Sequence, residues 1–372
     1  MSRLAVPRDG EPVRVRGLDV EYSFWPARKT TRWKFQRRLY VKDPWAILVE
    51  AVYRQRSVSK RRILESLSFL RQAEEYFDAG VQSRSIDVKP VLLYYAIMNL
   101  AKCLISVCDS ALDMAQARHG LVTKPKERAI LGDQISVKNS SRFVNIFDHL
   151  LRVLEGGGAA FTTLEVRHLL PQILPGHRLW SYASDKKERF LAVTDISCYS
   201  NHDGKEMWLR LNFKSGELHY VAPSTSALIR AAHLPGAWSH VSAEGLEETT
   251  LMLEQSDVVH YQQRPIDHLQ TLFQTLRPAL WCGVSPAPPH RRYYVLADSR
   301  LGAKRLPQWA SMYVLFFYLS DLTRYRPQHF DRFLESKYGP QIETVLDECP
   351  RQFLYLMASE LLQREDAPAS LA

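Results

Sequence analysis

The chain has 372 residues, 46% hydrophobic and 24% charged, enough apolar material for one large core or two ordinary ones and too much for disorder beyond the ends. Residues 312–320 form its most apolar uncharged run, about half of what a membrane span needs, and the first eight residues lack the apolar centre of a signal peptide, so a cytoplasmic protein without membrane contact is expected. The net charge of +9 is unevenly placed: sixteen Lys/Arg against six Asp/Glu through Arg62 give +10, leaving −1 for the remaining 310 residues.

Taken in chain order, residues 13–22 alternate apolar and polar side chains and read as a strand. Between 28 and 40 cations alternate with aromatics: Arg28, Lys29, Arg32, Trp33, Lys34, Arg37 and Arg38. That mixture suits phosphate contact with base stacking, and equally a solvated arm or a charged edge strand. A helix near 44–53 follows, with Asp43 as N-cap and Pro44 at its first position. Residues 59–77 carry Ile63, Leu64, Leu67, Leu70 and Ala73 at helical spacing, and the Gly80 region reads as the turn into a second helix that starts at Asp87 or Pro90 and carries Tyr94 and Tyr95. The chain then reads as loop through 123–128, as a helix over 142–155 stopped by Gly156-Gly157-Gly158, and as a short helix over 164–170.

From 189 the pattern changes to strands at 189–196, 206–213 and 217–221, joined by the Asp203-Gly204 and Ser215-Gly216 turns and completed by 292–296. Helices return at 308–325, ended by Pro327, and at 329–337, 340–347 and 351–364. The fold class expected is α+β, predominantly α-helical: a helical bundle interrupted by a small antiparallel β-rich insert. The segments are a basic N-terminal extension (1–43), the first part of the bundle (44–178), the β-rich insert (179–300), C-terminal helices completing the bundle (301–364) and a tail (365–372).

Cys103, Cys108, Cys198, Cys282 and Cys349 are scattered, with no Cys-x-x-Cys pair. No disulfide framework, structural zinc or other cofactor is expected. Three constellations have two readings each. Arg118-His119 suits an anion at a helix mouth or a turn histidine bonded to backbone. Arg324, Arg326 and His329 suit binding or a favourable charge at a helix C-terminus. Tyr94 and Tyr95 suit binding or packing with their hydroxyls at a rim.

A tyrosine pair opening an apolar helix, followed after a loop by His119-Gly120, resembles HEPN-type helical bundles. With residues 312–327, the chain resembles the bacterial YaaC-like family, most densely at 93–101, 119–121 and 313–327. The resemblance implies that both helical parts form one unit. It also implies a non-enzymatic module that binds RNA, a nucleotide or a partner protein in stress or anti-phage defence. The alternative it implies is a metal-independent ribonuclease, dimeric, using an arginine and a histidine with four to six residues between them. Arg142 and His149 have that spacing, with Arg324 and His329 as the second pair; the histidine would move the proton and the arginine hold the phosphate. RNA or another polyanion on the basic segment, a protein partner and a homodimer are the partners expected.

Overall fold

Aspartate at 43 and serine at 59 start the first two helices for a local reason. In the computed structural model, which describes residues 5–15, 17–25, 39–109, 112–126, 130–138, 143–242 and 249–368, the Asp43 carboxylate accepts from Trp45 N at 2.9 Å and opens Pro44–Tyr53. Ser59 Oγ accepts from Arg62 N at 3.3 Å and opens Lys60–Gln82. Each cap satisfies one of the N–H groups that a helix start leaves without a partner.

The chain divides into two units, one made of Lys42–Lys186 and Leu301–Leu362, the other of Met1–Val41, Lys187–Arg300 and Gln363–Ala372. In the first, Lys60–Gln82 and Lys89–Cys108 lie antiparallel, as the contacts Tyr76 to Tyr95 and Phe69 to Lys102 show by running in opposite order along the two helices. Gly80 is not the turn between them. It is buried inside the first helix, where a Cβ would stand 2.7 Å from Leu93 Cδ2, so its missing side chain permits the close approach. Gln308–Tyr325 packs on the other side of Lys89–Cys108, and fourteen of its eighteen residues are buried. Burial on that scale, at roughly 1.5–3 kcal/mol for each large apolar side chain, outweighs the helix's modest propensity for residues such as Tyr313, Val314 and Phe316.

Pro327 ends that helix and opens the next, Pro327–Leu334. The two helices expected at 340–347 and 351–364 are one, Gly339–Leu362, which continues through buried Pro350. Tertiary packing holds the helix across a residue that locally breaks one. Lys89–Cys108 is long and apolar enough to cross a membrane, and 67% of that window is buried inside the fold.

The second unit corrects the expected fold class. An antiparallel sheet of eight strands takes the place of a small β insert in a helical bundle. Its main order is Trp238–Val241, Thr250–Gln255, Glu206–Lys214, Phe190–Asn201, Arg291–Leu296, Leu280–Val284, with Glu11–Pro12 added to Phe190–Asn201 and Val259–His260 to Glu206–Lys214. Two of the strands missed by pattern, Thr250–Gln255 and Leu280–Val284, are buried almost continuously. Leu251, Met252 and Leu253 follow one another in the core, as do Leu280, Trp281 and Cys282, so the period-two signal of a half-exposed strand is absent. The expected strand at 217–221 is instead a turn of 3-10 helix, Ser215–Glu217, running into Leu218–Val221.

The N-terminal segment belongs to this sheet unit. Val13, Val20, Tyr22, Phe24 and Trp25 are core residues. Glu254 is 4% exposed and accepts from Arg8 N, Trp208 Nε1 and Arg210 Nε at 2.9, 3.1 and 2.7 Å, which ties the segment to the central strands. The Arg210 guanidinium lies 3.7 Å above the Tyr199 ring. Asp366–Pro368, within the expected tail, pairs in parallel with Leu39–Val41.

Candidate functional site

Neighbouring residues on a helix point about 100° apart, so a tyrosine pair sends one ring inward and one outward. Tyr94 is 2% exposed, with ring contacts to Tyr313 at 6.0 Å and Phe317 at 5.7 Å. Burial raises its pKa well above the ordinary tyrosine value, so it stays neutral. Tyr95 is half-buried and stacks on Tyr76 of the preceding helix, centroids 5.4 Å apart and planes 27° from parallel.

Arg324 reaches the same place from the last turn of Gln308–Tyr325. Its Nε donates to Ser320 O at 3.1 Å, and Nη1 makes a long 3.5 Å contact to the Tyr95 hydroxyl. The guanidinium carbon lies 5.9 Å from the Tyr95 ring centre and 5.0 Å from that of Tyr325. Tyr325 is 69% exposed and Tyr76 36%. Among the described residues Arg324 makes no ion pair, so its charge is held by ring faces and one carbonyl.

His119 joins this group through backbone geometry. Gly120 has φ +79°, and a Cβ there would fall 1.8 Å from Asn145 Oδ1. Asn145, 4% exposed, donates to Gly120 O at 3.2 Å and Lys138 O at 3.1 Å while its Oδ1 caps the Ile146–Glu155 helix through Asp148 N. The His-Gly turn is therefore fixed by an asparagine that already starts a helix. The exposed His119 ring lies on Phe317, centroids 5.4 Å apart, and its Nδ1 accepts from Leu121 N at 3.3 Å. Desolvation lowers the His119 pKa below its ordinary value; Arg324 and Lys138 push the same way, against Asp321. The neutral ring with its proton on Nε2 is the form that fits.

Arg326 has a different part. It donates to Asp133 at 3.1 Å and Asp321 at 3.3 Å, and Asp133, 1% exposed, also accepts from Tyr318 Oη at 3.0 Å and Lys126 N at 2.6 Å. This ion pair, with its carboxylate buried, fixes the end of one helix and commits the Arg326 guanidinium to two aspartates. His329 is half-buried in Pro327–Leu334, and its main-chain N donates to Arg326 O at 2.9 Å. Arg118 is exposed beside His119.

His149 is half-buried on Ile146–Glu155, with Nδ1 3.0 Å from Asn145 O in the preceding turn. Its sequence partner Arg142 lies outside the described residues, as do Arg28, Lys29, Arg32, Trp33, Lys34, Arg37 and Arg38. The structure thus gathers Tyr95, His119 and Arg324, three residues noted separately in the sequence, and adds Tyr76 and Tyr325. No local pattern marks those two, because each matters only through a partner on another helix.

A cavity of about 410 Å³ in the sheet unit opens where Phe190–Asn201 exchanges Arg291–Leu296 for the N-terminal segment, at the irregularity between Val193 and Asp195. Three of its charged groups are engaged by protein: Asp19 with Arg14 at 2.7 Å, Asp195 with the Ser197 hydroxyl, Arg291 with Cys282 Sγ at 3.6 Å. Among the described residues no three His, Cys, Asp or Glu side chains group in a way that would hold a metal ion.

No curated protein matches the chain, and no solved structure matches it. The profile described as YaaC-like Protein matches residues 23–361, which spans both the tyrosine-bearing helices and the sheet, and the chain accordingly belongs to the YaaC-like family.

Proposed function

We propose that this protein is a non-enzymatic nucleic-acid-binding module that takes an RNA or nucleotide phosphate at Arg324. The observation that carries the reading is a guanidinium with no carboxylate partner among the described residues, held between the half-buried Tyr95 and the exposed Tyr325. An arginine in that setting offers charge and directed donors to phosphate, and the tyrosines beside it offer faces to bases. The net +10 of the first sixty-two residues supports a polyanion partner by long-range attraction. RNA is one of the three ligand classes, with a nucleotide and a partner protein, that the HEPN-type resemblance of residues 87–121 implies.

At this site the histidine near Arg324 is His119, not His149 or His329 of the two spaced pairs, and its state favours binding over cleavage here. Its Nδ1 lone pair is committed to Leu121 N–H, so the neutral ring can donate from Nε2 but has no free nitrogen to act as a base. Fluorescence anisotropy with a labelled RNA oligonucleotide tests the reading. Arg324→Gln is expected to weaken binding about tenfold and to lower the slope of log affinity against log salt by about one. Wild-type protein that leaves the anisotropy unchanged at low salt would refute it.

A further inference from the structure

Tyr76, Tyr95, Arg324 and Tyr325 form a continuous chain of ring and guanidinium contacts drawn from three helices. Its two outer members are open: Tyr76 is 36% exposed and Tyr325 69%. An apolar core has no use for a ring as exposed as Tyr325, and packing alone does not account for it. The interior of the chain, by contrast, is braced: Tyr95 is backed by Tyr94 at 6.0 Å, and Arg324 is tied to Ser320 O. Braced stacking partners with open ends lose little freedom when a further flat group is added.

The charges nearby suit an anion. The acid closest to Arg324 in sequence, Asp321, is engaged by Arg326 at 3.3 Å, and Lys138 and Arg118 are exposed beside His119; the exposed Glu75 and Asp78 flank Tyr76 at the other end, so the anion belongs at Arg324 and only a base face at Tyr76. Bases in a duplex are already stacked on one another and present only edges and backbone. Unpaired bases present faces, which a tyrosine accepts without regard to base identity.

Resting on the nucleic-acid reading above, we infer that this surface selects single-stranded over double-stranded nucleic acid, stacking unpaired bases on Tyr76 and Tyr325 with the intervening phosphate on Arg324. Recognition of this kind is tolerant of sequence, because it uses ring faces and one charge and no base-edge hydrogen bonds.

The test is equilibrium binding of the full chain to a labelled single-stranded RNA of about ten nucleotides and to a blunt duplex of the same sequence, at one salt concentration. The single strand should bind at least about tenfold more tightly. Tyr325→Ala should weaken it by about 5- to 150-fold, the range for losing one base stack, with the salt slope unchanged, and Tyr325→Trp should restore it. Tyr76→Ala should act in the same direction. Tyr325 is mostly in solvent, so its variants keep the fold, and a thermal melt checks this. Equal affinity for strand and duplex, or Tyr325→Ala binding as wild type does, overturns the inference and leaves the Arg324 reading standing. Absence of any nucleic-acid binding by the wild type overturns both.

Discussion

Burial works against protonation of His119, whose ring rests one face on Phe317, and the Arg324 charge adds to it, while Asp321 and the Leu121 backbone contact oppose. Because the folded pKa is below the unfolded value of 6.5, the unfolded chain takes up the proton first as pH falls. The stability that His119 contributes is therefore complete above pH 6.5 and declines below it, until the folded pKa is reached. His240, lowered by burial in the sheet unit, acts in the same sense. The urea midpoint should fall between pH 7 and pH 5, and fall less for His119→Gln; equal pH dependence for the two would contradict the assignment. Asp133 supplies a second test at this scale. It neutralises Arg326 in a buried setting and accepts from Tyr318 and Lys126. Asp133→Ala leaves a cation and two donors without their acceptor, and should cost about 3 kcal/mol in chemical denaturation. A loss below about 1 kcal/mol would mean that water replaces the carboxylate at little cost.

Among the helices, capping and breaking signals that act over a few residues were legible. Asp43 with Pro44, and the 308–325 helix ending before Pro327, fall where the chain's local chemistry puts them. Signals overridden by packing were not. Gly80 reads as a turn because glycine commonly ends helices, yet it sits inside one against Leu93. Pro350 reads as a break, yet Gly339–Leu362 runs through it. The sheet was under-read because Leu251–Leu253 and Leu280–Cys282 are buried without alternation and resemble helix-core runs. Gly80 also gives a prediction of reversed sign. In an exposed helix Gly→Ala stabilises by about 1 kcal/mol. Here the new methyl would meet Leu93 Cδ2 and Cγ at 2.7 and 2.9 Å, so Gly80→Ala should destabilise by about 1–2 kcal/mol and lower the melting temperature. A raised melting temperature would show that Leu93 moves aside freely.

For the molecule as a whole, the candidate site lies within the helical unit, while the basic residues between 28 and 38 lie outside the described residues. The sequence marks the individual residues Tyr95, His119 and Arg324, but their meeting depends on how two helices and the His119 turn pack, which no local pattern encodes. Deleting the first forty residues would not isolate the role of the basic segment, since Val13, Val20, Tyr22, Phe24 and Trp25 would leave the sheet's core with it. Replacing Arg28, Lys29, Arg32, Lys34, Arg37 and Arg38 with glutamine keeps that core. It should flatten the salt dependence of RNA binding without removing the effect of Arg324→Gln. The most direct measurement is photochemical: cross-link the full chain to single-stranded RNA carrying 4-thiouridine and map the adducts by mass spectrometry. Adducts on peptides containing Tyr325, Tyr95 or Tyr76, lost in Arg324→Gln, are the expected result. Adducts confined to other peptides, unchanged by that substitution, would contradict the account.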